Sequence, residues 1–259
     1  MTPLPKEFTS KMAALLRSCH TLIYGRYGVG KTTLACSYPK AGLLSWDPDY
    51  KFVDPAVQVA HFTQGPEGWA EFKELLDKVE ERLAGRLRVV VDGVASMHDA
   101  CSRWVCAQHN VDHPEKLPHG RGWALISQEL QRQVSRLVKW AESRSVGLIF
   151  IGHDEVVTGK MLNTEYARVQ PKLGAALERT LLSLVDFVWY LGYDPTFGAA
   201  LINHEAGKDM PKRDGKLIPD VRAMSPNRLI VFNGGEHVYT KMRSPTGLVL
   251  PYSNRKSSP

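Results

Sequence analysis

Cysteine is scarce in this chain of 259 residues: Cys19, Cys36, Cys101 and Cys106 are all it has. So few thiols in a chain this long make no disulfide scaffold and point to a reducing compartment. Long apolar runs are missing as well. No window holds about 18 consecutive apolar residues, so no membrane span is expected. Lys11, Arg17 and His20 interrupt the apolar patch near the amino terminus, and no secretory leader is read there. A cytoplasmic protein is the expectation. The chain also lacks internal repeats, low-complexity blocks and the Asn-Lys-x-Asp motif that reads guanine.

What is present is ordinary for a globule: 43% apolar and 23% charged residues. At roughly 100–200 residues per domain, the length permits one or two domains. The net charge is +6, and it is unevenly spread. From Asn203 onward there are ten Lys and Arg against five Asp and Glu. A basic end of this kind suits a polyanion such as nucleic acid, or merely a solvated face.

Hydrophobic periodicity divides the chain into alternating elements. Strands are expected at Thr21–Tyr24, Gly42–Trp46, Arg88–Asp92, Gly147–Gly152 and Phe187–Tyr193. Helices are expected at Gly68–Leu83, Met97–Gln108, Trp123–Ser143 and Ala175–Leu184. His109–Gly122 and the polar stretch His153–Lys172 are expected to be loops. This order predicts an α/β fold, a mostly parallel sheet with helices on both faces. The expected divisions are a helical segment over 1–20, a core over 21–195, a small β-rich basic extension over 196–252 packed on that core, and a loose tail over 253–259.

Between the first strand and the first helix lies Gly25-Arg26-Tyr27-Gly28-Val29-Gly30-Lys31-Thr32-Thr33. Its Gly-x4-Gly-Lys-Thr spacing is the phosphate-cradling P-loop pattern, in the strand–loop–helix context it requires. Glycines let backbone N–H groups converge on phosphate oxygens, and the helix that follows adds the positive end of its dipole. Lys31 is expected to meet the β- and γ-phosphates of ATP, Thr32 to ligate Mg2+, and Thr33 to support the α-phosphate side. Asp92 ends an apolar strand, so it is expected to bring the second Mg2+-holding group from the strand next to the loop.

Cys101, Cys106, His109 and His113 are zinc-ligand types, but the two pairs lack the usual separation of about 12 residues. Five positions along a helix put Cys101 and Cys106 about 140° apart, so no zinc site is expected.

The motif order over roughly residues 20–195 resembles the RecA-like recombinase core. VVVDGVASM (89–97) is similar to that family's second nucleotide motif, and LIFIGH (148–153) to its strand ending in a polar sensor. PKLGAAL (171–177), VDFVWYL (185–191) and the pair Lys241 and Arg243 are most similar to phage-encoded RecA-like ATPases of single-strand annealing. The resemblance implies a DNA-stimulated ATP hydrolase of recombination, acting as a ring or filament on single-stranded DNA, in the bacterial host cytoplasm if phage-encoded. It implies a water-polarising acid at Asp49, where the family has glutamate, with Asp47 competing. It implies His153 as γ-phosphate sensor, in place of glutamine. It implies two DNA-binding loops carrying Lys116, His119, Arg121, Lys160, Arg168 and Lys172, with Tyr166 stacking on a base. Lys241 and Arg243 would reach the γ-phosphate of a neighbouring subunit or, alternatively, contact a DNA phosphate. An ATP-operated switch or assembly factor without a DNA role is the alternative; a small-molecule kinase is more remote, for lack of an arginine-rich lid.

Overall fold

The computed structural model describes residues 18–161, 164–193, 212–213, 216–217, 228–231 and 238–242. Its centre is a sheet built from β1 (Thr21–Tyr24), β2 (Ala41–Ser45), β3 (Gln58–His61), β4 (Arg88–Asp92), β5 (Gly147–Gly152) and β8 (Phe187–Tyr193). These six strands are parallel and lie in the order β8-β1-β5-β4-β2-β3. Two short strands, β11 (Arg228–Val231) and β12 (Lys241–Met242), pair antiparallel with β8. Two ribbons stand apart from this sheet: β6 (Asp154–Met161) with β7 (Thr164–Pro171), and β9 (Lys212–Arg213) with β10 (Lys216–Leu217).

Strand side chains alternate between faces, and this sorts the core into two layers. Leu22, Tyr24, Val89, Val91, Leu148 and Phe150 point one way. Ile23, Val90, Ile149 and Leu43 point the other. The first face is covered by α2 (Pro66–Asp77), α4 (Val94–Gln108), α5 (Arg121–Ser143) and α6 (Ala175–Leu184). The second is packed by α1 (Lys31–Cys36), with Tyr50, Val53 and Val57 from the segment between β2 and β3. Helices therefore cover both faces, but unequally.

Several expectations need correction. The helix expected over 68–83 begins earlier and breaks at Lys78, whose φ of −113° ends α2 before the short α3 (Val79–Arg82). The strand β3 was not foreseen, because its residues are half-exposed at the sheet edge. The stretch expected to be a loop over 153–172 is the β6–β7 hairpin, fully paired from Asp154↔Pro171 to Met161↔Thr164. The strand next to the phosphate loop's own strand is β5; β4 lies one strand farther on. The segment 1–17, the tail from 243 and most of the extension over 196–252 lie outside the described residues. The extension's described strands β11 and β12 continue the main sheet.

Two buried polar groups brace this framework. On α5, Glu129 accepts hydrogen bonds from Trp69 Nε1 on α2 at 3.1 Å and from Gln133 at 3.1 Å. It also pairs with Arg132 and, at 3.8 Å, with Lys73, whose ammonium lies over the Trp104 ring of α4. At the foot of β1, the carbonyl of His20 accepts from the backbone of Asp186 and Phe187, and its Nδ1 accepts from the N–H of Leu148 on β5. His20 thus stitches β8, β1 and β5 together as a neutral imidazole, and burial holds its pKa below 6.5.

Replacing Glu129 by Ala should lower the unfolding free energy by about 2–4 kcal/mol, because it strands a buried indole N–H and unpairs two cations. A urea titration measures this. For His20 the unfolded chain binds the proton more readily than the folded one, so stability is complete above pH 6.5 and is lost as pH falls from 6.5 toward the folded pKa. The melting temperature should therefore drop between pH 7.5 and 5.5. His20→Asn, which keeps an acceptor for Leu148 without the titration, should flatten that drop.

Candidate nucleotide-binding site

Parallel register brings the carboxyl ends of the strands into one rim: Tyr24 is level with Gly152, Asp92 with Ile151, and Ser45 with both Asp92 and His61. Every group of the site follows directly from that rim. The loop after β1 turns tightly. At Gly25 an added Cβ would lie 2.0 Å from the Leu191 carbonyl oxygen, so the loop can leave β1 here only without a side chain. Gly28 and Gly30 have φ of 72° and 89°, the left-handed region that glycine permits. Gly30 then caps α1, and Lys31 is its first residue.

The Lys31 ammonium is buried and curls back over its own loop, donating to the carbonyls of Gly25 and Arg26 at 2.8 Å each. Burial lowers its pKa, opposed by the negative charges of Asp92, Asp154 and Asp47. The Thr32 hydroxyl donates from α1 to Asp92 Oδ2 at 2.6 Å, although β5 separates β4 from β1, the strand that leads into the phosphate loop. The other Asp92 oxygen accepts the N–H of Gly93 at 3.0 Å. Burial raises the Asp92 pKa, so a cation beside it would be favoured. A hydroxyl and a carboxylate oxygen in contact are the donor set that Mg2+ takes from a protein in a phosphate site. Thr32 and Asp92 fit that ion. The remaining loop residues Arg26, Tyr27 and Thr33 are exposed and Val29 is buried.

His153, at the end of β5, lies between the Gly25 loop and β4, as the strand order dictates. Its ring stacks on Tyr27 of the phosphate loop, with centroids 3.7 Å apart. Its Nδ1 is buried without a hydrogen-bond partner, and burial followed by the Lys31 charge lowers its pKa. Its backbone carbonyl accepts from Lys172 at the end of the hairpin, at 2.8 Å.

Asp47 Oδ1 accepts from Ser96 Oγ at 2.7 Å, and its charge is felt by Lys31, Asp92 and His153. Asp49 lies within the 3-10 turn Pro48–Phe52; the described contacts put Asp47 against the site.

The expected DNA-contacting cations are dispersed. Lys116 is paired with Asp112 at 2.6 Å and Arg121 is exposed at the start of α5. Lys172 is exposed at the base of the hairpin. Arg168 turns inward, its guanidinium over the Tyr239 ring at 4.7 Å. Lys160 is on β6 and Tyr166 on β7. His119 is in a 3-10 turn. Lys241 donates to the carbonyls of Leu182 and Val185 at the end of α6, and Arg243 lies outside the described residues. Cys101 faces the core, its thiol toward the Ile126 carbonyl; Cys106 is buried too.

Three site residues escaped the sequence reading. Tyr24 donates its hydroxyl to the Val169 and Tyr239 carbonyls, at 3.2 and 2.6 Å, tying the strand before the phosphate loop to the hairpin base. Asp154 follows His153 directly, and its charge reaches Lys31. Ser96 holds Asp47. Asp154 alone had a signal, its place beside the expected sensor.

A parallel sheet with a glycine-rich loop after β1 and an acidic β4 end beside it defines a P-loop nucleotide-binding ATPase fold. The family comparison agrees: the AAA domain model matches residues 17–244, and the chain belongs to the AAA domain family. No curated protein matches the chain. Among the described residues, no helix is long and apolar enough to cross a membrane.

Lys31→Ala should reduce ATP turnover by roughly a hundredfold or more, since the ammonium is the one cation buried in the loop. Steady-state phosphate release measures this, with circular dichroism expected to show the fold retained.

Proposed function

We propose that the protein is a DNA-stimulated ATPase of recombination that anneals or pairs single-stranded DNA as a ring or filament. In this reading Lys31 meets the β- and γ-phosphates, while Thr32 and Asp92 hold Mg2+, which supplies charge neutralisation at the phosphates. A carboxylate after β2 orients the attacking water. His153 reports the γ-phosphate.

The observation that carries the reading is the attachment of the β6–β7 hairpin. It starts one residue after His153, its far end returns a hydrogen bond to the His153 carbonyl, and Tyr24 anchors its base to the phosphate-loop strand. A change at the γ-phosphate would thus be transmitted to a two-stranded ribbon bearing Lys160 and, at its base, Lys172. DNA contact falls to those residues together with Arg121, Lys116 and the basic end of the chain. With Lys241 engaged by α6 carbonyls, Arg243 is the candidate cation for a neighbouring subunit's γ-phosphate.

A second reading, an ATP-operated switch that docks a protein, is favoured by two features of the hairpin. Val156 on the hairpin is 62% exposed, and Arg168 is turned inward. ATP hydrolysis measured with and without single-stranded DNA, at several salt concentrations, separates the two. DNA should raise turnover, and the apparent DNA affinity should fall with salt at a log–log slope of about −0.7 per phosphate contacted. Absence of DNA binding at low salt, with hydrolysis retained, would leave the protein-switch reading.

A further inference from the structure

We infer that Ser96 is a positioning residue for hydrolysis: it locks the Asp47 carboxylate in the orientation from which that acid serves the attacking water. The inference rests on the ATPase reading above and extends it to a residue outside the phosphate loop.

The acid after β2 has a difficulty of reach, since aspartate is one methylene shorter than glutamate. The local structure answers it in two ways. The backbone at the head of α4 is brought against the carboxylate. Gly93 has φ of 65°, and a Cβ built there would lie 2.4 Å from Asp47 Oδ2 and 2.7 Å from Oδ1. The volume a side chain at 93 would occupy is the volume the Asp47 carboxylate fills. The carboxylate is then fixed in rotation: Ser96, in the first turn of α4, donates its hydroxyl to Asp47 Oδ1 at 2.7 Å. The Asp47 backbone is held as well. Its carbonyl accepts from Ser45 Oγ at 2.8 Å, and the Trp46 N–H donates to the Asp92 carbonyl at 2.9 Å. One oxygen of Asp47 is thereby committed to the helix.

Asp92, the Mg2+-holding group of the reading, immediately precedes Gly93, so both acids are referenced to the same few residues at the β4–α4 junction. Catalytic geometry must be held to within about 0.5 Å, and a short acid on an irregular segment reaches that tolerance only with external support. Ser96 and Gly93 give that support.

The test combines Ser96→Ala, Ser96→Thr, Asp47→Asn and the double variant Ser96→Ala/Asp47→Asn. It measures steady-state ATP hydrolysis alongside calorimetric binding of a non-hydrolysable ATP analogue with Mg2+. Ser96→Ala should lower kcat by about tenfold or more while KM and analogue affinity stay within about twofold, the signature of an interaction made in the transition state. Ser96→Thr, which keeps the hydroxyl, should recover most of the lost rate. In the Asp47→Asn background, Ser96→Ala should cost nothing further, because the two act as one unit. Unchanged kcat in Ser96→Ala overturns the inference. So does an equal loss in both backgrounds, or a loss in the alanine variant that threonine fails to restore. Full activity in Asp47→Asn overturns it by removing the acid it serves. A wild-type protein that binds the analogue yet hydrolyses nothing overturns the ATPase reading itself, and the positioning role with it.

Discussion

The hydrogen bond from Thr32 to Asp92 is the contact on which the site depends. It joins the first turn of α1 to the end of β4, across the intervening strand β5. That contact exists only because β1, β5 and β4 are held in parallel register with their carboxyl ends level. Burial on both faces enforces the register. A slip of one residue would move Val89, Val91, Leu148 and Phe150 from one apolar layer to the other. The hydrophobic alternation and the polar site are consequently one constraint seen from two sides.

The electrostatics of the rim follow from the same arrangement. Asp47, Asp92 and Asp154 act together on a single buried ammonium, Lys31, which satisfies itself on the carbonyls of its own loop. Burial weakens the charged form of both Lys31 and Asp92, and it strengthens whatever ionic contact they make. Groups already fixed by hydrogen bonds need little reorganisation when a charged ligand arrives. The Tyr27–His153 stack and the Tyr24 hydroxyl carry this rigidity from the phosphate loop into the hairpin.

Much of the architecture was legible because its signals are local. The apolar runs at 88–92 and 147–152 read as buried strands, and α5 shows its stripe of Ile126, Leu130, Val134 and Leu137 plainly. The phosphate loop was legible down to its glycines. Reading failed where partners are distant or the surface is mixed. β3 is an edge strand with two exposed residues out of four, so no apolar run marks it. The hairpin reads as a loop in the sequence because its polar residues mask a β-branched set, Val156, Val157, Thr158 and Val169, which is ordered by pairing between β6 and β7. Arg168 and Lys241 read as free cations, yet one lies on an aromatic ring and the other on carbonyls; both partners come from remote segments.

By itself the sequence determined the glycine-rich loop between strand and helix, the acid at the end of an apolar strand and the alternation of strand and helix. These depend on spacing within about ten residues, and backbone geometry turns such spacing directly into structure. Only the tertiary structure decided which strand lies beside which, that β5 comes between β1 and β4, and that Asp47 is gripped by Ser96. Ser96 and Asp47 are 49 positions apart. Strand order and such a contact are settled by the packing of whole layers, and no short stretch of chain carries that information.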